Sequence, residues 1–389
     1  METLFQKQQS LLARTDLSFK RYMYDKFPWE SRMTGLIGPR GVGKTTMLLQ
    51  YIKQLNARDV LYVSADDIYF SNHRLIDLAD EFYKNAGKHI FIDEIHKYKD
   101  WSVELKNMYD FLPGLKVCFT GSSVLDIRKG MADLSRRALM FPMQGFSFRE
   151  YLKFEHNIGI PVHTIDQIIN HQISLIDNLE HPLPLFREYL QQGYYPMVKD
   201  NNLAIRLGQI LNLTLEVDIP QFANLSVTTA RKLKKLLLVV AESVPFKPNF
   251  LSLASKLEVS RNSLEDYLTY MEDAGLIARL RDAATGIIGL GKVEKIYLDN
   301  PNLIYYLSAK VPETGNVRET FFLNQARVNH AVISSAVADF KIDKYTFEVG
   351  GKSKSQEQIK NKAHAFVVKD NIEYGFGNVI PLWAFGLTY

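Results

Sequence analysis

The sequence predicts a parallel α/β sheet in its first part, followed by a helical region and a second, smaller α/β region. Two patterns predict this order. Short apolar runs alternate with helical patterns up to about residue 150, after which apolar residues recur at spacings of three and four, and strand patterns return only after residue 311. Because parallel strands end at one edge of a sheet, we expect the polar residues that follow the first strands to meet there.

Composition sets limits on the class of protein. The chain has 389 residues, 46% of them apolar and 23% charged, which is typical of a folded chain with more than one domain. A net charge of +4 permits contact with nucleic acid but does not require it. The single cysteine, Cys118, excludes an intrachain disulfide and a cysteine zinc site. No apolar run approaches the ~18 residues of a membrane span, so we expect a cytoplasmic protein without a membrane partner.

The first strand leads into a glycine-rich loop and a helix, in the segment MTGLIGPRGVGKTTMLLQYIKQL. The loop matches the P-loop pattern G-x-x-x-x-G-K-[ST], in which glycines let backbone N–H groups face phosphates. Lys44 would reach the β- and γ-phosphate oxygens, and the Thr45 hydroxyl would bind Mg²⁺. The sequence therefore predicts a P-loop NTPase that uses ATP and Mg²⁺. The expected nucleotide-binding residues of this segment are Gly38, Pro39, Arg40, Gly41, Val42, Gly43, Lys44, Thr45 and Thr46.

A second motif ends the apolar strand in KHIFIDEIHKY. The strand would deliver Asp93 to its C-terminal end, where the carboxylate completes the Mg²⁺ shell. Glu94 follows directly and is expected to orient and activate water. An acid in this second position favours ATP hydrolysis over kinase chemistry.

Two more strand patterns, DVLYVSADD and KVCFTGSS, complete the predicted sheet. Thr120 and Ser122 follow the second of them, at the edge where a polar side chain could sense the γ-phosphate. A simple turn is the alternative, since Gly and Ser favour turns.

These motifs together resemble the AAA+ ATPases (AAA_14 type) that carry a C-terminal DUF4143-type domain. The resemblance rests on the P-loop, on IFIDEIHK with Trp101 shortly after, and on FTGSS and LSRRALMFPMQGFSFREYL, and it extends over most of the chain. It implies that Arg137 is a candidate arginine finger, acting within the chain or across a subunit boundary of a homo-oligomer. Family members usually show Gly-Arg where this chain has Arg136 and Arg137. A surface arginine is the alternative.

The middle of the chain predicts a helical lid or connector and then a winged helix. In the connector we interpret Glu216 and Asp218 as a solvated turn. In FLSLASKLEVSRNSLEDYLTYMEDAGLIARLRD two helical patterns precede a candidate wing through Gly286, Gly289 and Gly291. The second helix would present Ser260, Arg261, Asn262 and Ser263 to DNA. Glu265 and Asp266 on the same helix repel phosphate, so packing or oligomerisation is an equal alternative.

The C-terminal residues predict an α-β-β-α-β order, which the resemblance also implies is a restriction-nuclease-like core. The possible nuclease-like site consists of Glu319, Asp339, Glu348 and Lys352. Such a core needs two carboxylates for Mg²⁺ and a lysine beside them. The expected Glu-x-Lys is missing, because Gly350 stands where the lysine would be and the nearest lysines, Lys352 and Lys354, lie beyond a glycine pair. An active nuclease, a degenerate core that binds DNA through its basic loop, and a structural module remain open.

The expected domains are an ATPase domain (residues 1–155), a helical connector (156–235), a winged helix (236–310) and the nuclease-like domain (311–389). The favoured function is Mg²⁺-dependent ATP hydrolysis by a switch or motor acting on DNA through the last two domains. One alternative is a nucleotide-gated protein-interaction module of a regulatory, toxin or defence system. A second alternative is an ATP-licensed nuclease.

Overall fold

The computed structural model divides the chain into two compact units, Met1–Gly145 and Phe146–Tyr389. It describes residues 1–121, 134–173, 179–200, 202–223, 225–242, 249–283, 291–354, 357–359 and 362–389. Ser122 of the predicted nucleotide site, and Gly286 and Gly289 of the predicted wing, lie outside these residues. Within them, no helix is long and apolar enough to cross a membrane.

The first unit is built on a five-stranded sheet in which all neighbours pair in parallel. The strand order is β2-β3-β4-β1-β5, so β4 separates β1 from β3. Strands β1 and β3 are buried along their whole length, as expected for central strands covered on both faces. The parallel α/β prediction is therefore confirmed. The strands are β1 (Met33–Ile37), β2 (Val60–Ser64), β3 (His89–Asp93), β4 (Lys116–Gly121) and β5 (Leu139–Pro142).

Two apolar clusters belong to the two faces of this sheet. One gathers Ile90, Ile92 and Phe119 with residues of α3 and α4, and the other gathers Phe91 and Cys118 with residues of α2. Alternate residues of β3 thus point to opposite clusters, as the strand period of two requires. Burial raises the pKa of the Cys118 thiol to about 12, which fits an inert core residue. The helices are α1 (Glu2–Arg14), α2 (Lys44–Ile52), α3 (Leu75–Lys84) and α4 (Trp101–Phe111).

The second unit begins with the helical region. Its aromatic core contains Phe148, Phe186, Tyr189 and Phe321, whose ring centroids lie 4.8–5.9 Å from those of their neighbours. Asp218, expected in a solvated turn, is 7% exposed and ends a π-helix over Thr214–Asp218. The solvated-turn expectation is wrong for this residue, because the helix continues through it into α9. The helices are α5 (Phe148–His156), α6 (Ile165–Ile169), α7 (Pro182–Gln192), α8 (Leu203–Leu213), α9 (Ile219–Ala223) and α10 (Val227–Glu242).

A helix-turn-helix and an antiparallel strand pair follow α10. The turn between α11 (Phe250–Leu257) and α12 (Arg261–Asp273) contains Glu258 in a left-handed conformation and Ser260, whose side chain caps α12. Strands β6 (Ile277–Arg281) and β7 (Val293–Leu298) then pair with each other. This element order is the one predicted from the sequence, and its interpretation as a winged helix stays a prediction.

The C-terminal part contains a second five-stranded sheet, in the order β12-β11-β10-β9-β8. Strands β8, β9 and β10 form an antiparallel meander, whereas β10, β11 and β12 pair in parallel. The sequence did not predict the three-residue strands β8 and β12, and the second helix of the expected order corresponds, in the described residues, to a short 3₁₀ turn, Glu357–Ile359. The bounds of the four expected domains remain predictions. The elements are α13 (Pro301–Leu307), α14 (Thr314–Ala326), β8 (Val332–Ser334), β9 (Phe340–Ile342), β10 (Tyr345–Gly350), β11 (Ala365–Lys369) and β12 (Val379–Pro381).

Candidate functional site

The loop between β1 and α2 has a positive φ, which favours glycine, at three positions: Gly38, Gly41 and Gly43. Gly43 caps α2 with φ 95° and ψ 22°, in the left-handed region. Gly38 has φ 156°, and a Cβ there would lie 2.1 Å from the carbonyl oxygen of Met143. The first glycine therefore permits close packing, and the last one turns the chain into the helix, so that the N-terminus of α2 ends the loop.

Lys44, the first residue of α2, folds back over the loop. Its ammonium donates to the carbonyl oxygens of Gly38 at 2.8 Å and Pro39 at 2.9 Å. Burial lowers its pKa from 10.5 to about 8, partly opposed by the negative charges of Glu94 and Asp93. A cation held this way over the loop is available to exchange carbonyl oxygens for phosphate oxygens.

Asp93, the last residue of β3, collects hydroxyl donors from three elements. Thr45 Oγ1 donates to Oδ2 at 2.7 Å, Tyr62 Oη donates to the same oxygen at 2.8 Å, and Thr120 Oγ1 donates to Oδ1. The carboxylate is 3% exposed. The strand order places the Tyr62 and Thr120 hydroxyls beside Asp93, because β2 and β4 lie on either side of β3. Thr120 is the penultimate residue of β4, and Tyr62 is in the middle of β2, opposite Phe91, two residues before Asp93. Sequence reasoning found Thr45, Asp93 and Thr120 but missed Tyr62, which the apolar strand pattern did not distinguish from core.

Glu94 starts the turn after β3 with a left-handed backbone, φ 51° and ψ 40°. This conformation is uncommon outside glycine and frequent at functional sites. Its Oε2 lies 3.6 Å from an Arg40 guanidinium nitrogen and 3.4 Å from His96 Nε2. Its backbone N–H donates to Thr120 Oγ1 at 3.0 Å. Thr120 thus ties both acids together, and Arg40 links the P-loop to the predicted water-activating carboxylate.

Arg137 is held within its own unit by Asp110, the penultimate residue of α4. The guanidinium makes a two-point contact, with Nε 2.9 Å and a terminal nitrogen 3.0 Å from the carboxylate oxygens. This contact lowers the pKa of Asp110. A role as an arginine finger requires the guanidinium to leave Asp110, and the finger stays a prediction.

The helix-turn-helix exposes the start of its second helix. Ser260, Arg261 and Asn262 are exposed, while Leu264 and Leu268 are buried. Arg261 pairs with Glu265 one turn later, Nε to Oε1 at 3.1 Å. Glu272, near the end of the same helix, forms ion pairs with Arg279 and Arg281 of β6, with nitrogen–oxygen distances of 2.6 and 2.8 Å. The exposed helix start fits the predicted DNA contact, and the internal ion pairs reduce the positive charge available for phosphate.

The predicted C-terminal acids do lie near each other, and two of them pair with Lys295, which the sequence did not single out. Lys295 Nζ on β7 lies 2.8 Å from Glu319 Oε2 and 3.0 Å from Asp339 Oδ1. These two carboxylates raise the pKa of Lys295, although burial acts in the opposite direction. Tyr297 Oη donates to Glu319 Oε2 at 2.7 Å. An ammonium therefore lies between two of the carboxylates proposed as metal ligands.

The remaining acid, Glu348, pairs with Lys354 at 2.5 Å. Burial raises the pKa of Glu348, with the charges of Asp339 and Glu319 acting in the same direction and Lys354 opposing them. Lys352, the lysine chosen from the sequence, is exposed, and its backbone carbonyl accepts from Lys369 Nζ at 3.2 Å. Lys354 is thus the loop residue that reaches Glu348. In the described part of the chain, no three His, Cys, Asp or Glu residues are placed to hold a metal ion.

The P-loop residues fit a bound Mg²⁺-nucleotide by their own chemistry. Lys44 offers an ammonium held only by carbonyl oxygens among its closest contacts, and Thr45 offers a hydroxyl hydrogen-bonded to a buried carboxylate. A hydroxyl and a carboxylate are oxygen ligands of the kind Mg²⁺ takes when phosphates supply the rest. The C-terminal acids do not fit a metal in this way, because Lys295 already neutralises two of them.

One family model matches most of the first unit. Residues 30–152 match the model of an AAA domain, a range that contains the P-loop, Asp93, Glu94 and Arg137. These residues are therefore similar to an AAA domain. A domain of unknown function, DUF8612, matches residues 183–314. The match is to this model and not to DUF4143, so that part of the resemblance is not confirmed.

Individual relatives give no further function. The chain is 27% identical over 302 residues to an uncharacterized protein, MJ1637, of Methanocaldococcus jannaschii, covering 69% of this chain and 63% of that one. It thus spans less than two thirds of that relative. Among solved structures it is similar to the Walker-type ATPase PABY2304 of Pyrococcus abyssi, with 12% identity, TM-score 0.45 and coverage of 74% and 95% of the two chains. It is also similar to AMPPCP-bound DnaA from Aquifex aeolicus, with 11% identity, TM-score 0.27 and coverage of 64% and 84%. Both scores are low, and the AAA domain match and strand order carry the interpretation.

Proposed function

We propose that this protein hydrolyses ATP in a Mg²⁺-dependent reaction and uses the cycle as a switch acting on DNA. The observation that carries the ATPase proposal is the hydroxyl network around Asp93. It joins Thr45 of the P-loop helix to the end of β3, and Thr120 extends it to the backbone of Glu94. One network thereby positions a phosphate-binding loop, a metal-binding carboxylate and a candidate general base.

Each residue has a defined role in this proposal. The backbone N–H groups of the loop and Lys44 hold the phosphates, with Lys44 exchanging its carbonyl contacts for phosphate oxygens. Thr45 and Asp93 would hold Mg²⁺, which when bound neutralises charge on the β- and γ-phosphate oxygens. Glu94 orients the attacking water and accepts its proton on a carboxylate oxygen, after exchanging the contact with Arg40. Arg137 is the proposed arginine finger, acting within the chain or across a subunit boundary of a homo-oligomer.

DNA is the proposed target because the second helix of the helix-turn-helix presents Arg261 and Asn262 at an exposed N-terminal turn. These side-chain types bind guanine and adenine edges in the major groove. The specific observation that favours the rival, a nucleotide-gated protein-interaction module, is the pairing of Arg261 with Glu265 and of two strand arginines with Glu272. Pairing inside the domain leaves less charge for the phosphate backbone.

ATP turnover with and without duplex or single-stranded DNA separates these readings. We expect DNA to raise turnover, and Arg261→Ala with Asn262→Ala to abolish the increase without changing basal turnover. Arg206→Ala is a matched control, because Arg206 is also an exposed arginine paired with a nearby acid, Asp200. Basal turnover that DNA does not change would favour the protein-interaction module.

A plasmid-nicking assay on a gel tests the nuclease alternative. Supercoiled plasmid incubated with Mg²⁺ or Mn²⁺, with and without ATP, should remain uncut, because the Lys295 ammonium lies between Glu319 and Asp339. Nicking that Glu348→Ala abolishes would instead identify the C-terminal acids as a working metal site.

A further inference from the structure

A buried arginine outside the P-loop, Arg21, hydrogen-bonds to a backbone carbonyl of the loop. Arg21 is 5% exposed, and its guanidinium donates to three backbone carbonyl oxygens. One terminal nitrogen donates to Val42 O in the P-loop. The other donates to Gln144 O at 2.7 Å and Gly145 O at 2.9 Å. The planar guanidinium, with donors in a fixed fork, can hold these groups in one fixed arrangement, which a lysine ammonium cannot.

The contact with Val42 O fixes the direction of a neighbouring N–H. The peptide between Val42 and Gly43 is planar and trans, so its C=O and N–H point in opposite directions. An arginine that holds the carbonyl on one side therefore turns the Gly43 N–H toward the other. Gly43 directly precedes α2, and the loop N–H groups at such a helix start would face a phosphate in the proposed nucleotide site.

Met143, which directly precedes Gln144, contacts the first glycine of the loop, Gly38. Met143 N–H donates to Ile37 O at 2.7 Å, and the Met143 carbonyl occupies the space where a Gly38 Cβ would lie. The Gln144 N–H donates to the Tyr22 hydroxyl at 3.3 Å. The start of the P-loop thus packs directly against Met143, and Val42 near its end is linked to Gln144 and Gly145 through Arg21. Gly145 is the last residue of the first unit.

We propose that Arg21 is a positioning residue that couples nucleotide binding in the P-loop to residues 143–145 at the end of the first unit. It orients the Gly43 N–H toward phosphate, and a bound phosphate in turn fixes the Val42 carbonyl, the guanidinium and the Gln144 and Gly145 carbonyls. This inference rests on the proposed nucleotide binding. It assigns the link between the nucleotide and the chain that leads into the second unit.

The test uses the full chain with the non-hydrolysable ATP analogue AMPPCP. Arg21→Lys keeps the charge but loses the fork, and we expect AMPPCP affinity to fall roughly tenfold, as for the loss of one hydrogen bond to a charged group. Hydrogen exchange of the amides of residues 143–146 should slow on AMPPCP binding in the unaltered protein and should not respond in Arg21→Lys. Arg32→Lys is the matched control, since Arg32 also donates to a backbone carbonyl, that of Tyr109, away from the loop.

The outcomes separate this inference from the proposed function. Wild-type affinity and wild-type AMPPCP-dependent protection in Arg21→Lys would overturn the inference while leaving nucleotide binding intact. No AMPPCP binding by the unaltered protein would overturn both. Tyr22→Phe removes only the hydroxyl that accepts from Gln144 N–H, so it should weaken the protection without changing affinity even if Arg21→Lys does not fold. Unchanged protection in Tyr22→Phe would count against the coupling.

Discussion

The hydroxyl of Tyr62 should be worth about an order of magnitude or more in Mg²⁺ affinity. Tyr62 lies on β2 and is 7% exposed, and its Oη donates to Asp93 Oδ2 at 2.8 Å. Burial, with the charge of Asp93, raises the pKa of Tyr62, so the phenol remains a donor at neutral pH. Tyr62→Phe removes this bond and keeps the ring.

The expected size follows from the position of the bond. Groups that hydrogen-bond a metal-binding carboxylate orient it, and their loss costs about 10–100-fold in metal affinity or activity. This corresponds to roughly 1.4–2.8 kcal/mol. The Thr45 and Thr120 hydroxyls still hold Asp93 in the variant, so we expect the lower part of that range and no loss of the fold.

ATP turnover measured against Mg²⁺ concentration at saturating ATP is the assay. Tyr62→Phe should raise the half-saturating Mg²⁺ concentration about tenfold or more. Tyr51→Phe is a matched control, because Tyr51 Oη donates at 2.7 Å to Glu30, a carboxylate with no role in the site. The same Mg²⁺ dependence in wild type and Tyr62→Phe would refute the idea that this hydroxyl positions a metal ligand.

Three further predictions concern other parts of the chain. Lys295→Ala removes an ammonium that lies between two carboxylates on a side chain that is 16% exposed. The variant should lose about 3–5 kcal/mol of unfolding free energy, and Mn²⁺ should restore part of this loss in thermal denaturation. An unchanged Tm would contradict the pairing. Arg137→Ala breaks a partly exposed pair with Asp110 and should cost less than about 1 kcal/mol, yet lower turnover by roughly 10³-fold, and unchanged turnover would make Arg137 structural. Burial lowers the pKa of His89, so the unfolded chain binds the proton more readily and stability falls as pH drops below about 6.5; His89→Gln should flatten Tm against pH between about pH 7 and 5, and an unchanged slope would refute this.

The sequence predicted the places of Gly43, Lys44 and Asp93 in the fold because the constraints on them are local. A glycine needed for a left-handed backbone, a lysine at the helix start and an acid at a strand end are all fixed within a few residues. Gly43, Lys44 and Asp93 therefore lie where the motifs placed them. Tyr62 and Arg21 were missed because their contacts with Asp93 and Val42 bridge separate elements, and nothing in the neighbouring sequence indicates them.

The C-terminal site shows the limit of motif reasoning more clearly. Spacing within FEVGGKSK pointed to Lys352, but the loop brings Lys354 to Glu348. The partner of Glu319 and Asp339 is Lys295, which lies 24 and 44 residues before them in the chain. The ion pairs that Lys295 of β7 makes with these two acids, distant from it in sequence, decide the electrostatics, and a linear motif contains no information about them.

The central claim, ATP hydrolysis with Glu94 as the general base, is tested most directly by phosphate release from ATP in wild type and Glu94→Gln, with AMPPCP binding measured on the same preparations. Wild type should release phosphate in Mg²⁺, and Glu94→Gln should bind AMPPCP with similar affinity while its turnover falls by two orders of magnitude or more, roughly the contribution of general-base catalysis. Lys44→Ala should lose binding itself, because it removes the buried ammonium from the loop. Equal phosphate release by wild type and Glu94→Gln would contradict the account.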